Sequence, residues 1–96
     1  MTFEEFSQSI QSQAAPSEGM KPVLQALWYA GKKNWERAHE VAQAVDSAEG
    51  SWVHAYLHRE EGDQSNADYW YRRSGRTRPQ VTLEQEWESI VRALLV

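Results

Sequence analysis

Ser51-Trp52-Val53-His54-Ala55-Tyr56-Leu57-His58-Arg59-Glu60-Glu61-Gly62-Asp63 runs directly into Gln64-Ser65-Asn66-Ala67-Asp68-Tyr69-Trp70-Tyr71-Arg72-Arg73-Ser74-Gly75, and the stretch closes at Pro79. It reads as two helices folded back on each other about Gly62-Asp63. Gly62 suits the position just past a helix end, and Asp63 or Ser65 can cap the helix that follows. The stretch holds two of the three histidines, two of the five tryptophans and a cluster of arginines. A site in this chain is expected here.

Working outward toward the N-terminus, Trp52 to Glu61 is preceded by Glu49-Gly50, read as the end of a helix over Trp35 to Ala48, with Ser51 capping the next. Trp35, Ala38, Val41, Ala42 and Val45 form the stripe of that earlier helix, and Asn34 can cap it. Gly31-Lys32-Lys33 is a turn in which Gly31 is able to take the left-handed position past the helix end. Lys21 to Ala30 is a helix with Pro22 in its first turn. Val23, Leu24, Ala26, Leu27, Trp28 and Ala30 cover most of its circumference, so it is packed on several sides. Thr2 to Ala14 is a first helix, opened by a Thr2/Glu5 capping box and striped by Phe3, Phe6, Ile10 and Ala14. Its Ser/Gln face marks it as the element most prone to fray, swap or act as an arm.

Toward the C-terminus, Arg76-Thr77-Arg78-Pro79-Gln80 is a loop. Thr82 with Gln85 makes a second capping box, and Leu83, Trp87, Ile90, Val91 and Leu94 give the clearest amphipathic helix in the chain. Trp28, Trp35, Trp52, Trp70 and Trp87 fall one per helix from the second to the sixth. No segment has the alternation of a strand. The fold class is therefore all-α, with five to six helices in a single domain over residues 1–96. Residues 1–15 are its N-terminal helix or arm, 21–79 two hairpins, and 82–95 a capping helix.

Bulk properties narrow the function. Ninety-six residues make one domain, which buries roughly 60–70% of its unfolded surface. That provides one core without a deep separate cavity. Apolar residues at 41% and charged ones at 25% mark an ordinary globular chain rather than a disordered one. The net charge of −4 disfavours nucleic acid and anionic membranes as partners. With no cysteine, disulfides and thiolate chemistry are excluded. Met1-Thr2-Phe3-Glu4-Glu5 is not a secretory signal, and no apolar run approaches the roughly 20 residues of a membrane span. The expected location is cytoplasmic.

Sliding the chain by 29 residues overlays Ala26-Leu27-Trp28-Tyr29 on Ala55-Tyr56-Leu57-His58, Lys33-Asn34 on Gly62-Asp63 and Ala38 on Ala67. Each copy is helix, polar turn, helix, with a small residue early in the second helix that lets the pair approach closely. The turn-plus-alanine pattern recurs in Gly31-Lys32-Lys33-Asn34-Trp35-Glu36-Arg37-Ala38 and in Gly62-Asp63-Gln64-Ser65-Asn66-Ala67. Together with Ala67-Asp68-Tyr69-Trp70-Tyr71-Arg72-Arg73-Ser74 and a closing Pro79, it resembles a degenerate tetratricopeptide-like repeat over Val23 to Pro79. The repeat of 29 is shorter than that family's usual length of about 34. The resemblance implies a stack of antiparallel helical hairpins that binds protein or peptide.

Three functional readings follow. The first is a non-catalytic interaction module without cofactor, whose partner is another protein or peptide, a second copy of the chain included. Its contact residues are Trp52, His54, Tyr56, His58, Arg59, Tyr69, Trp70, Arg72 and Arg73, because aromatics and arginine dominate binding hot spots. The second is a metal- or small-ligand-binding protein, with enzymatic action open to it. His54 and His58 stand at i and i+4, Glu61 continues their stripe, and such histidines can converge on zinc. Ala55 after His54 removes the His-Glu-x-x-His pattern and its general base. The tetratricopeptide-like resemblance places His54 and His58, the latter equivalent to Tyr29, at positions that face the partner helix, which implies packed, hydrogen-bonded histidines. The third is anion or nucleic-acid binding through Arg72, Arg73, Arg76 and Arg78 beside Tyr69, Trp70 and Tyr71. Against it, Arg72 and Arg73 can simply complement their helix end and pair with Glu60, Glu61 and Asp63. No Gly-x-Ser-x-Gly or phosphate-loop pattern is present.

Overall fold

The computed structural model describes residues 1–96 and contains six helices and no strand. In chain order they are α1 (Phe3–Ser12), α2 (Pro22–Gly31), α3 (Trp35–Gln43), α4 (Ala48–Glu61), α5 (Gln64–Arg73) and α6 (Leu83–Leu94). The all-α expectation and the one-tryptophan-per-helix pattern both hold. So do the two capping boxes, Thr2 with Glu5 and Thr82 with Gln85, in which each side chain satisfies the other's backbone N–H.

Helices α2 and α3, and again α4 and α5, pack against each other across short turns. The 29-residue echo is repeated in backbone geometry. Lys33 and Gly62 both take left-handed φ, 65° and 90°. Asn34 N–H donates to Tyr29 O and Asp63 N–H to His58 O, each at 2.9 Å. These bonds close the same C-terminal motif in both turns. Asn34 and Asp63 then cap the following helices, accepting from Arg37 N–H and Asn66 N–H. Ala38 and Ala67 are both fully buried where each pair crosses.

The core gathers Phe6, Leu24, Leu27, Trp28, Val53, Leu57, Ile90 and Val91 from α1, α2, α4 and α6. A smaller cluster of Ala55, Ala67 and Tyr71 joins α4 to α5. As expected of its apolar circumference, α2 buries six of its ten residues. No helix is long and apolar enough to cross a membrane.

Three expectations are corrected. Helix α1 is no loose arm. Phe6 is fully buried, Phe3 meets Trp87 edge-on, and Ser9 Oγ accepts from Trp28 Nε1 at 3.0 Å. Gly31 is not the left-handed residue; Lys33 is. Gly31 lies inside α2, where an added Cβ would stand 2.6 Å from Ile10 Cδ1, so its role is to admit α1 and α6. The third helix stops at Gln43, and α4 begins at Ala48, one turn before Trp52. Ser47, not Ser51, is the cap, accepting from Gly50 N–H at 3.1 Å. Gly50 is needed for space, since a Cβ there would sit 2.1 Å from Val45 O. A glycine that permits close backbone approach carries the same letter as one that ends a helix, hence the misreading.

Candidate functional site

Trp35 and His39 lie four residues apart on α3 and point at α4. His54 and His58 lie four apart on α4 and point back. One ring nitrogen from each of His39, His54 and His58 falls within 4.8 Å of the others. Nε2 of His54 meets Nε2 of His39 at 2.9 Å. The His54 and His58 rings are stacked, centroids 4.8 Å apart, and His39 stands edge-on to both. His58 and His54 are buried and His39 is half-buried.

Two indoles wall the cluster. Trp35 stacks on His39 at 4.8 Å and donates its Nε1–H to Leu57 O at 2.7 Å, which ties α3 to α4. Trp70 of α5 stacks on His54 at 3.9 Å. Glu61 accepts from His58 Nδ1–H at 2.7 Å, and the Asn66 amide stands 3.5 Å from the same ring. Burial first, then repulsion from His39 and His58, holds the His54 imidazole down to about 4. Burial also lowers His39, with His58 adding to the effect. At neutral pH both rings are uncharged, and one Nε2 donates its hydrogen to the lone pair of the other.

Of the nine contact residues expected from sequence, His54, Tyr56 and His58 are buried between helices and offer no free surface. Arg59 is also committed. Its guanidinium pairs with Glu86 at 2.7 Å and donates to Val81 O, while Tyr71 donates to the other Glu86 oxygen at 2.5 Å. Trp52 is half-buried, with the Arg76 guanidinium 3.8 Å above its ring. Tyr69, Arg72 and Arg73 remain on the outer side of α5, and the half-buried Trp70 lies at its edge between His54 and Arg73. Arg73 lies over Trp70 and Tyr69 at 5.2 and 5.9 Å.

Arg72 and Arg73 do not pair with Glu60, Glu61 or Asp63. Of the four clustered arginines only Arg78 has a carboxylate within ion-pair distance, Asp68 at 3.2 Å. Asp68, Tyr71, Arg72, Arg76, Thr77 and Arg78 line a cleft of about 330 Å³. A second cleft of about 550 Å³, running from Trp52 to Pro79 and Val81, shares Arg76 and Thr77 with it.

The expected metal trio of His54, His58 and Glu61 is rearranged. Glu61 is bound to Nδ1 of His58, and His39 supplies the third imidazole. His39 was missed because it belongs to another helix. Its one sequence signal is its place at i+4 from Trp35, on that residue's inward stripe.

Comparison with the models of known protein families, with curated proteins and with solved structures finds no match to this chain.

Proposed function

We propose that this protein is a non-catalytic helical binding module that holds an acidic segment of another protein on the outer side of α5 and the loop after it. One observation carries the reading. On a chain with net charge −4, none of Arg72, Arg73 and Arg76 has a carboxylate within ion-pair distance. Arg72 and Arg76 line a cleft with Asp68 and Arg78, Arg76 and Thr77 continue into a second that holds Glu86, and Arg73 lies over Trp70 and Tyr69. Unneutralised arginines gathered on an acidic protein set up a local positive field. They also supply planar donors for carboxylates, and arginine stacked on aromatic faces is held in place before a partner arrives. Tyr69, 45% exposed, and the half-buried Trp52 and Trp70 provide the aromatic anchors such surfaces use.

The test is titration of the folded protein with a fluorescent peptide rich in Glu and Asp and bearing one aromatic residue. A single-stranded oligonucleotide of equal charge is run in parallel. The peptide is expected to bind with marked salt dependence, and the Arg72→Glu/Arg73→Glu variant to bind at least ten-fold more weakly with an unchanged helical spectrum. Preference for the oligonucleotide, or equal peptide affinity in the variant, overturns the proposal.

A further inference from the structure

We propose that His39, His54 and His58 form a site for one divalent transition-metal ion of the zinc class, with Glu61 as its positioning residue. Three imidazoles from two packed helices offer nitrogen ligands within 4.8 Å of one another. Zinc binds imidazole at about 2.0–2.1 Å, which places neighbouring nitrogens of a tetrahedral site roughly 3.3 Å apart. The His39–His54 separation of 2.9 Å needs to open by only a few tenths of an ångström.

The protons balance. In the metal-free cluster one of the two Nε2 atoms carries the hydrogen that bridges them. Metal entry releases no net proton: that ring's hydrogen moves from Nε2 to Nδ1, and both Nε2 lone pairs then bind the ion. His58 requires no such change. Its Nδ1–H already points to the Glu61 carboxylate at 2.7 Å, leaving Nε2 as the lone-pair nitrogen. A carboxylate on the outer nitrogen of a ligating imidazole fixes the tautomer and raises its basicity.

The surroundings also suit an ion. Trp35 and Trp70 stack on His39 and His54 and hold their ring planes. The half-buried His39 marks the side from which an ion and a fourth ligand, water, reach the site. An all-imidazole set selects zinc, cobalt, nickel or copper(II). Calcium and magnesium want oxygen donors, and copper(I) prefers sulfur. A packing role alone does not call for a third imidazole with a carboxylate-set tautomer beside an already paired two.

The experiment uses the chain without a polyhistidine tag, stripped with chelator, then titrated with Zn²⁺ by calorimetry and with Co²⁺ by visible absorption. One ion per chain is expected, with the intense bands of four-coordinate cobalt and a raised Tm. His39→Gln should lower affinity at least 100-fold and abolish the bands. Glu61→Gln should cost roughly ten-fold and leave the bands in place. Should His39→Gln fail to fold, imidazole NMR of the wild-type protein decides, because all three histidines must shift together with Zn²⁺. Folded wild-type protein that takes up neither ion, undiminished binding in His39→Gln, or shifts confined to other residues each overturn the site.

Discussion

The imidazole of His54 lies flat on the indole of Trp70, ring centroids 3.9 Å apart and planes 16° from parallel. This contact joins the buried face of α4 to the edge of α5, where Arg73 lies over the same indole. Interior and exposed arginine surface therefore share one side chain. Trp70→Ala should cost about 2–3 kcal/mol, less than the 3–5 of a fully buried tryptophan because Trp70 keeps part of its surface in water. Urea unfolding measures it, and a loss below 0.5 kcal/mol would show that the stack carries no stability.

His54 makes folding depend on pH. Its folded value of about 4 lies below the roughly 6.5 of an unfolded histidine, so between those limits the unfolded chain binds more protons. Stability is then fully present above about pH 6.5 and is lost as pH falls toward 4. The loss reaches about 3 kcal/mol, with lowered His39 adding in the same direction. The groups facing His54 are His39, His58 and, through His58, Glu61. Replacing His54 with Gln should flatten this dependence. An unchanged slope in denaturant midpoints between pH 7 and pH 4.5 would contradict the assignment.

Arg59, Glu86 and Tyr71 bind α4, α5 and α6 through one carboxylate that is only 3% exposed. Removing one member strands a buried charge. Arg59→Met should therefore destabilise by about 3–5 kcal/mol, whereas the Arg59→Met/Glu86→Leu pair should recover much of that. A double-mutant cycle reads the coupling directly, and purely additive effects would rule the network out.

Two glycines should respond differently to alanine. At Gly50 the new Cβ meets Val45 O at 2.1 Å, a backbone atom in a tight connection that cannot move aside. Gly50→Ala is expected to cost about 4 kcal/mol or more. Gly62 has open space around it, and its φ of 90° is the whole difficulty, so Gly62→Ala should cost about 1–2 kcal/mol. Thermal melts of both variants check the order, and equal losses would refute the distinction.

Much of the architecture was legible because it is written in local patterns. Capping boxes at Thr2 and Thr82, the 29-residue echo and the stripe of α6 each concern residues a few places apart, where helical periodicity fixes who shares a face. Boundaries were less legible where a glycine serves packing. Gly31 and Gly50 act through Ile10 and Val45, and composition does not say which partner comes near.

The sequence by itself determined that this chain is helical, where the hairpins turn, and that His54 and His58 share one stripe. All of that follows from 3.6-residue periodicity and turn chemistry. Only the tertiary structure decided that His39 joins them, that Glu61 pairs with His58, and that Arg59 is held by Glu86 while Arg72, Arg73 and Arg76 have no carboxylate within ion-pair distance. Those outcomes depend on which helix faces pack together and at what distance, and charges and imidazoles interact through space without regard to their separation along the chain.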